Sequence, residues 1–265
     1  MTAVISLLTD FGTHDPYVGI MKAVMLSRAP HARFVDLTHD VAPQNVRQGA
    51  FALASAVQWF APGAIHVAVV DPGVGTERRA VVVQTHRARY VAPDNGLLTL
   101  ALDGDPPVGA WHLTRPQYFL PARSATFHGR DVFAPVAAHL AQGVAPADLG
   151  DPIDVAQLVR LPSPAPVPVA GGLRVPVIHA DRFGNLVTAL HRRQVDERAV
   201  IGARAAGRGL RRVETYGDVA PGTLLALWGS SDHLELSVSM GSAAQVLGLG
   251  EGDEVDVVIG GEVDP

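Results

Sequence analysis

A proline-rich segment divides this chain into two parts whose sequence patterns differ. The segment runs from Leu161 to Gly172 and carries four prolines and two glycines. Because prolines at this density disfavour helices and central strands, we interpret the segment as a semi-rigid linker. Strand and helix patterns alternate before it, whereas short strand patterns follow it. The sequence therefore predicts two domains, 1–160 and 173–265, with a linker at 161–172.

The first domain is predicted to have an α/β fold. Its apolar strand patterns alternate with helical patterns, the strands at 4–8, 34–37, 65–70, 80–85 and 90–91 and the helices at 17–28, 48–60 and 131–142. This alternation is typical of a mostly parallel sheet flanked by helices, because parallel strands need long crossover connections. In the second domain, short apolar runs between Gly- and Asp-rich turns predict a small all-β, barrel-like fold.

The composition excludes several classes of protein. Of the 265 residues, 48% are hydrophobic and 18% are charged, so the chain is not intrinsically disordered. The net charge of −5 indicates no basic surface for nucleic acid or anionic membranes. No apolar run approaches the roughly 20 residues of a membrane span, and the amino terminus lacks a signal-peptide pattern. We therefore expect a cytoplasmic protein that binds neither nucleic acid nor membranes.

The chain contains no cysteine, which restricts the chemistry open to it. Disulfides, thiolate metal sites and cysteine nucleophiles are excluded. No GxSxG elbow and no HExxH spacing occurs, so neither a serine hydrolase nor a common zinc motif is indicated. A catalytic metal held by scattered histidines and aspartates stays open as an alternative. Otherwise Asp, Glu, His, Arg, Ser or Thr side chains, or a bound small molecule, must carry any reaction.

Two aspartates follow predicted strands in the first domain. Asp10 follows the strand at 4–8, and Asp71 follows the strand at 65–70. Ligands bind at the carboxyl ends of strands in open α/β sheets, so both residues are candidates for a site. A turn or a helix cap would also explain either one alone.

Two further segments carry candidate residues in the first domain. Asp71 begins a loop with two glycines that reaches Arg78, and this loop matches neither a phosphate-binding nor a dinucleotide-binding pattern. His128 stands beside a glycine just before the predicted helix at 131–142, where the helix dipole favours a neutral imidazole. Such a histidine can accept a proton or orient a water, although a structural role is the more common explanation for any single histidine.

Six motifs together resemble the S-adenosyl-L-methionine (SAM) hydroxide adenosyltransferases, a family of SAM hydrolases related to the bacterial fluorinase and chlorinase. The motifs occur in order along nearly the whole chain. They are Leu8-Thr-Asp-Phe-Gly12, Val69-Val-Asp-Pro-Gly-Val-Gly-Thr-Glu-Arg78, Ala92-Pro-Asp-Asn-Gly-Leu97, Phe127-His-Gly-Arg-Asp-Val-Phe-Ala-Pro135, Asp181-Arg-Phe-Gly-Asn185 and the segment from Leu234 to Ala244.

The resemblance implies a reaction and a set of site residues. Water would attack SAM at the ribose 5′ carbon to give adenosine and L-methionine, with no metal and no cofactor. An Asp-Arg-His triad that polarises this water falls on Asp71, Arg78 and His128. The remaining residues are implied to bind substrate: Asp10 the ribose diol, Phe183 and Asn185 the adenine, and Ser230, Glu235, Val238 and Met240 the rest of the pocket.

The resemblance also implies an assembly and leaves alternatives. The family forms its site between the first domain of one subunit and the barrel of the next, usually in a homotrimer. Halogenases of the family replace the water-binding triad, so the intact triad favours hydrolysis over halogenation. A SAM halogenase and a SAM- or adenosine-binding sensor with little turnover stay open as alternatives.

Overall fold

The computed structural model of the chain describes residues 2–162 and 165–260. The chain divides into two compact units, with the boundary between Leu161 and Pro162. Each unit has its own buried apolar core. Met1 of the predicted first domain, Ser163 and Pro164 of the predicted linker, and residues 261–265 of the predicted second domain lie outside the described residues.

A seven-stranded sheet forms the centre of the first unit. Its strands are β1 (Val4–Thr9), β2 (Arg33–Thr38), β3 (Ala64–Val69), β4 (Ala80–Thr85), β5 (Ala88–Pro93), β6 (Pro107–Leu113) and β7 (Gly150–Ile153). Their order across the sheet is β2-β1-β3-β5-β4-β6-β7. Strands β2, β1, β3 and β5 are parallel, whereas β4 pairs antiparallel with β5 and β6, and β6 pairs antiparallel with β7.

The predicted α/β class is confirmed, and the sheet is a mixed one. The reason lies in the connection between β4 and β5, which is only two residues long, His86 and Arg87. Two residues can join antiparallel strands but not parallel ones. The Thr85 hydroxyl donates a hydrogen bond to the Ala88 carbonyl across this turn, at 3.2 Å. Parallel pairing is therefore confined to the side of the sheet that contains β1 and β3.

Helices cover both faces of this sheet. They are α1 (Tyr17–Leu26), α2 (Val46–Val57), α3 (Thr99–Gly104) and α4 (Ala134–Ala141), the last preceded by a π-helical turn at Gly129–Phe133. Alternate residues of a strand point to opposite faces, and Val67 and Val69 accordingly join the core under α1 and α4. Ala68 and Val70 join the core under α2 and α3. Helix α3 was not among the predicted helices.

The second unit is a closed β-barrel, as predicted. Its strands are β8 (Val167–Val169), β9 (Gly172–Ala180), β10 (Leu186–His191), β11 (Val200–Ala205), β12 (Arg208–Arg212), β13 (Leu224–Trp228), β14 (His233–Val238) and β15 (Glu254–Ile259), with one short helix, α5 (Ala243–Leu247). The order is β10-β14-β13-β12-β11-β15-β9, and β9 also pairs with β10. This last pairing closes seven strands into a ring in which each strand has two neighbours.

Part of the proline-rich segment forms a strand. Strand β8 lies within the predicted linker and pairs antiparallel with Gly172, Leu173 and Arg174 of β9. It has no second neighbour among the described strands, so Pro168 occupies an edge position where a missing N–H is tolerated. The segment predicted as a linker therefore contains a strand, because an edge strand accommodates proline where a central strand does not.

None of the helices formed by residues 2–162 and 165–260 combines the length and the apolar character that a membrane crossing requires.

A buried histidine couples the stability of the first unit to pH. Ser6 and His66 are opposite each other on β1 and β3, and Ser6 Oγ lies 2.6 Å from His66 Nδ1. Each residue is only 1% exposed. Burial lowers the pKa of His66 from 6.5 to about 4. The unfolded chain therefore binds a proton below pH 6.5 that the folded chain does not accept until near pH 4.

This difference predicts an acid-dependent loss of stability. Between pH 7 and pH 5 the protonation of His66 in the unfolded chain should remove about 2 kcal/mol from the free energy of unfolding. In His66→Asn we expect this component to be absent, so the free energy of unfolding should fall less between the two pH values. Urea unfolding at both values measures it. His86→Asn, in the exposed turn after β4, is the control and should keep the wild-type dependence.

Candidate active site

The candidate site lies at the carboxyl ends of two neighbouring parallel strands. Strands β1 and β3 are adjacent, with Thr9 opposite Val69. Asp10 follows β1 directly, and Asp71 comes two residues after the end of β3. Both aspartates therefore start loops at the same edge of the sheet, the edge at which open α/β sheets bind ligands.

Asp71, Arg78 and His128 form one hydrogen-bonded cluster. The Arg78 Nε donates to both carboxylate oxygens of Asp71, at 2.9 and 3.1 Å, and Arg78 Nη2 also donates to Asp71. The same Nη2 lies 2.9 Å from His128 Nδ1. The side chains of Arg78 and Asp71 are 10% and 5% exposed. The structure thus brings His128 to Arg78, 50 positions before it in the sequence, and to the loop that carries Asp71.

The arginine determines which nitrogen of His128 carries the proton. A guanidinium has only donors, so His128 Nδ1 must be the acceptor in its contact with Arg78. A neutral His128 then has its hydrogen on Nε2. Burial, followed by the neighbouring Arg78, lowers the pKa of His128 from its ordinary value, although Asp71 and Asp131 act in the opposite direction. His128 is therefore a neutral donor at Nε2.

An aromatic cluster positions the segment that carries His128. The Phe127 ring is 5.9 Å from Phe11 and 5.2 Å from Tyr17, in edge-to-face arrangements. Phe11 follows Asp10, and Tyr17 begins α1, so the cluster joins the loop after β1 to the His128 segment. Such ring pairs contribute about 0.5–1.5 kcal/mol each beyond the burial of their surfaces.

Asp131 anchors the other side of the His128 segment. Its carboxylate is fully buried and accepts hydrogen bonds from Arg130 Nε and from the Ser124 N–H, both at 2.6 Å. Burial opposes ionisation, but these two donors outweigh it and keep the pKa of Asp131 below its ordinary value. Next to Ser124, the Ala125 carbonyl lies so close to Gly75 that a Cβ there would collide with it. Asp131 thereby holds the segment around Ser124 against the loop of Asp71 and Arg78.

One oxygen of the Asp10 carboxylate accepts a hydrogen bond from the protein. The Gln44 N–H donates to Oδ2 of Asp10 at 2.8 Å. Next to it, the Gly12 N–H donates to the His39 carbonyl at 2.8 Å, which holds the loop after β1. Asp10 is only partly exposed, and its Oδ1 faces no donor among the hydrogen bonds of the described residues.

In the second unit, Asp181 organises the turn that carries Phe183 and Asn185. Its Oδ1 accepts from the N–H groups of both residues, and its Oδ2 accepts from Asn185 Nδ2, all at 2.9 Å. The Asn185 amide thus directs its NH₂ to Asp181 and keeps its carbonyl oxygen for another partner. Asn185 is buried, whereas Phe183 is 75% exposed. Gly184 between them has φ +82°, and Ser242 leaves no room for a side chain there.

Glu235 on β14 forms a second polar cluster in the barrel. Its Oε1 accepts from Tyr216 Oη at 2.5 Å and from Ser237 Oγ at 2.8 Å. Burial and the contact with Glu235 raise the pKa of Tyr216 above its ordinary value. Tyr216 lies in a short 3₁₀ turn after β12. The other predicted pocket residues differ in exposure: Val238 is buried at the end of β14, Met240 is 90% exposed, and Ser230 is exposed in the turn before β14.

Within residues 2–162 and 165–260, no three His, Asp or Glu side chains are grouped as metal ligands would be. The polar clusters around Asp71 and Glu235 instead consist of carboxylates paired with arginine or hydroxyl donors.

Sequence comparison identifies the family. A model of the SAM hydroxide adenosyltransferase N-terminal domain matches residues 5–150, and a model of the C-terminal domain of the same family matches residues 175–256. The chain belongs to the SAM hydroxide adenosyltransferase family. The predicted resemblance is therefore confirmed over both units.

Relatives of the family cover nearly the full length of this chain. A protein of Thermus thermophilus named (R)-S-adenosyl-L-methionine hydrolase is 47% identical, covering 92% of this chain and 95% of the relative. A protein of the same name from Salinispora tropica is 42% identical, covering 97% and 98%. A fluorinase of Actinoplanes is more distant, at 30% identity over 74% of each chain. A solved structure from Thermotoga maritima superposes with a TM-score of 0.89 at 36% identity, covering 96% and 99%.

Sequence reasoning did not single out Tyr216, and it placed Asp181 in the turn motif that ends at Asn185. The spacing of Asp181 to Asn185 is typical of an Asx turn, so this turn was accessible to sequence analysis. Tyr216 comes near Glu235 only because β12, β13 and β14 are neighbours in the barrel, and no sequence spacing signals that contact.

Proposed function

We propose that this chain hydrolyses SAM to adenosine and L-methionine. The observation that carries the proposal is the hydrogen-bonded cluster of Asp71, Arg78 and His128, in a family whose 42–47% identical relatives are named SAM hydrolases. An oxygen of water forms a bond to the 5′ carbon, the bond from that carbon to sulfur breaks, and one proton is released.

The leaving group explains what such a site must do. Sulfur departs from the sulfonium as a neutral thioether, so no general acid is needed. The attacking water is a very weak acid, with a pKa of about 15.7, and must be held in line with the breaking bond. Placement in a near-attack geometry can contribute several kcal/mol to lowering the barrier. The site therefore needs groups that orient water and accept its hydrogen bonds, and it needs no metal or cofactor.

The geometry of the cluster indicates a separate task for each of its three residues in holding and polarising the water. Arg78 donates to Asp71 and His128 and so holds both side chains in place. His128 Nδ1 is occupied by Arg78, which leaves the Nε2–H to donate a hydrogen bond to the water oxygen. Asp71 keeps lone pairs beyond those that Arg78 uses, and we assign it as the acceptor of a water hydrogen. Proton transfer, partial or complete, is accordingly directed to Asp71.

The substrate-binding residues follow from the resemblance and from their free polar atoms. Asp10 has Oδ1 available for the ribose hydroxyls. Asn185 has its carbonyl oxygen available for the adenine amino group, and the exposed Phe183 ring offers a stacking surface. We propose that Ser230, Glu235, Val238 and Met240 line the remainder of the pocket.

We propose that the preferred substrate is the epimer with (R) configuration at sulfur. The relatives from Thermus thermophilus and Salinispora tropica carry this epimer in their names. A sulfonium with three different substituents is stereogenic, so the two epimers direct the methionine chain differently at a fixed adenosine position. Residues that hold both adenosine and the methionine chain can therefore distinguish the two.

We further propose a homotrimer in the cytoplasm, with each site formed by the first domain of one subunit and the barrel of the next. The family resemblance supports the assembly, and the large exposed side chains of Phe183 and Met240 on the barrel are consistent with a surface that another molecule covers.

Product analysis tests the proposed reaction. The purified protein is incubated with SAM enriched in either sulfur epimer, with and without EDTA, and the products are separated by chromatography. We expect adenosine and methionine in equal amounts, faster release from the (R) epimer and no effect of EDTA. In parallel samples with chloride or fluoride, 5′-halo-5′-deoxyadenosine in place of adenosine would identify a halogenase. Adenosine binding without methionine release would identify a sensor.

Mixed oligomers test the shared site. Asp71→Asn and Asn185→Ala each remove a residue from a different unit of the chain, and each variant alone should have low activity. If one subunit supplies Asp71 and the next supplies Asn185, unfolding and refolding the two variants together will produce some sites that are intact. We expect about a quarter of wild-type activity from a random mixture, and light scattering should give the mass of a trimer. No recovery of activity would contradict a shared site.

A further inference from the structure

The segment that follows β5 contacts both ends of the loop between Asp71 and Arg78. On one side, Asn95 Nδ2 donates a hydrogen bond to the Val70 carbonyl at 2.8 Å. On the other side, the Asp94 N–H donates to the Arg79 carbonyl at 2.9 Å. Two consecutive residues, Asp94 and Asn95, thereby hold the residue before Asp71 and the residue after Arg78. The motif from Ala92 to Leu97 has no role in the proposed reaction.

Asp94 adds a charged contact at the same end of the loop. Its carboxylate is 3% exposed and accepts from Arg79 Nε at 2.8 Å and from the Val159 N–H at 2.8 Å. Arg79 Nη2 also donates to the Gln157 carbonyl. The two adjacent arginines therefore form ion pairs with different aspartates: Arg78 pairs with Asp71, and Arg79 pairs with Asp94.

The Asn95 side chain is itself held by the turn that contains it. Its Oδ1 accepts a hydrogen bond from the Leu97 N–H at 3.2 Å. Between them, Gly96 has φ +95°, and a Cβ at that position would lie 2.8 Å from Leu161 Cγ. Glycine adopts this positive φ without strain, and the hydrogen bond from the Leu97 N–H holds the Asn95 amide with its Nδ2 towards the Val70 carbonyl.

Holding these carbonyl groups orients the side chains next to them. The Val70 carbonyl and the Asp71 N–H belong to one planar peptide unit, so the Asn95 contact fixes the plane from which the Asp71 side chain extends. The Arg79 contacts restrain the chain directly after Arg78 in the same way. A misplacement near 1 Å at a reacting group can cost about 10²-fold in rate.

We propose that Asp94 and Asn95 are positioning residues, which act on the reaction through the placement of Asp71 and Arg78. This inference rests on the proposed SAM hydrolysis for its kinetic consequence. Neither residue is assigned a contact with substrate. Substitutions should therefore lower kcat, whereas KM for SAM and the Kd for adenosine should stay close to the wild-type values.

Asn95→Asp tests the proposal, because aspartate keeps the acceptor for the Leu97 N–H but has no donor for the Val70 carbonyl. We expect kcat to fall about 30-fold with KM within twofold of wild type. The matched control is Thr85→Ala, at the opposite end of β4 and β5, which also removes side-chain hydrogen bonds to backbone. Its kcat should stay within twofold of wild type. An unchanged kcat in Asn95→Asp, or an equal fall in both variants, would overturn the proposal.

Two further measurements keep the test decisive. Hydrogen exchange read by mass spectrometry should be faster at residues 71–79 in Asn95→Asp and unchanged there in Thr85→Ala, and this readout does not depend on activity. If the wild type releases no methionine, the proposed function fails while the exchange data still decide whether Asn95 holds the loop. If Asn95→Asp does not fold, Arg79→Lys weakens the other end, and unchanged kcat and exchange in it would reject the proposal.

Discussion

Asp71→Asn should lower kcat for SAM hydrolysis by about 10³-fold. The substitution keeps the size and shape of the side chain, so steric effects are small. It replaces one acceptor oxygen by an NH₂ group that faces Arg78, which has only donors, and so the Arg78 contacts of Asp71 are broken or weakened. The attacking water also loses the acceptor that we assign to it. KM for SAM should change by less than about threefold, because Asp71 acts on water rather than on adenosine.

Single-turnover kinetics with the (R) epimer measure this effect without interference from product release. Asp151→Asn is the matched control, because Asp151 is also an aspartate of the first unit paired with an arginine, Arg115, at 2.7 Å. That pair is surface-exposed, so the control should retain wild-type kcat. A fall of less than tenfold in Asp71→Asn would show that Asp71 is not the acceptor of the water proton.

Arg78→Ala should also lower kcat by about 10²–10³-fold, with a much smaller effect on SAM affinity. The substitution leaves the Asp71 carboxylate, which is 5% exposed, without its charged partner. It also removes the donor that orients His128 Nδ1. Because Arg78 helps to lower the pKa of His128, that pKa should rise towards its ordinary value in the variant.

The shift in pKa has a sign that can be checked. If the neutral form of His128 is the active one, activity falls as the pH decreases through the pKa of His128. In Arg78→Ala the acid limb of the kcat profile should therefore move to higher pH. Arg115→Ala, which removes the exposed partner of Asp151, is the control and should keep both the rate and the profile. Wild-type kcat in Arg78→Ala would remove this arginine from the mechanism.

Local sequence patterns predicted most of the strands but not their arrangement. The apolar runs at Val4–Thr9 and Ala64–Val69 have the length and composition of buried strands and are strands β1 and β3 in the structure. The pairing of β3 with β5 instead of β4 could not be predicted from the residues, because it depends on which edges are free once the two-residue turn after Thr85 has formed. Strand β8 was missed because its neighbouring prolines indicate a linker until β9 is present beside them.

The sequence by itself determined the family and the candidate residues. Six ordered motifs identified the SAM hydroxide adenosyltransferases and placed the Asp-Arg-His triad on residues 71, 78 and 128. Their roles in binding and catalysis remain predictions. The absence of cysteine excluded disulfides, thiolate metal sites and cysteine nucleophiles.

Only the tertiary structure decided the direction of each donor and acceptor. The contact of Arg78 with His128 Nδ1 spans 50 positions of sequence and exists because both segments reach the same edge of the sheet. It makes Nδ1 of a neutral His128 the acceptor and puts the hydrogen on Nε2. The hydrogen bonds from Asp94 and Asn95 to both ends of the loop between Asp71 and Arg78 likewise depend on β3 and β5 being neighbours. Hydrogen bonds act over about 3 Å in defined directions, and residue order alone does not specify such positions.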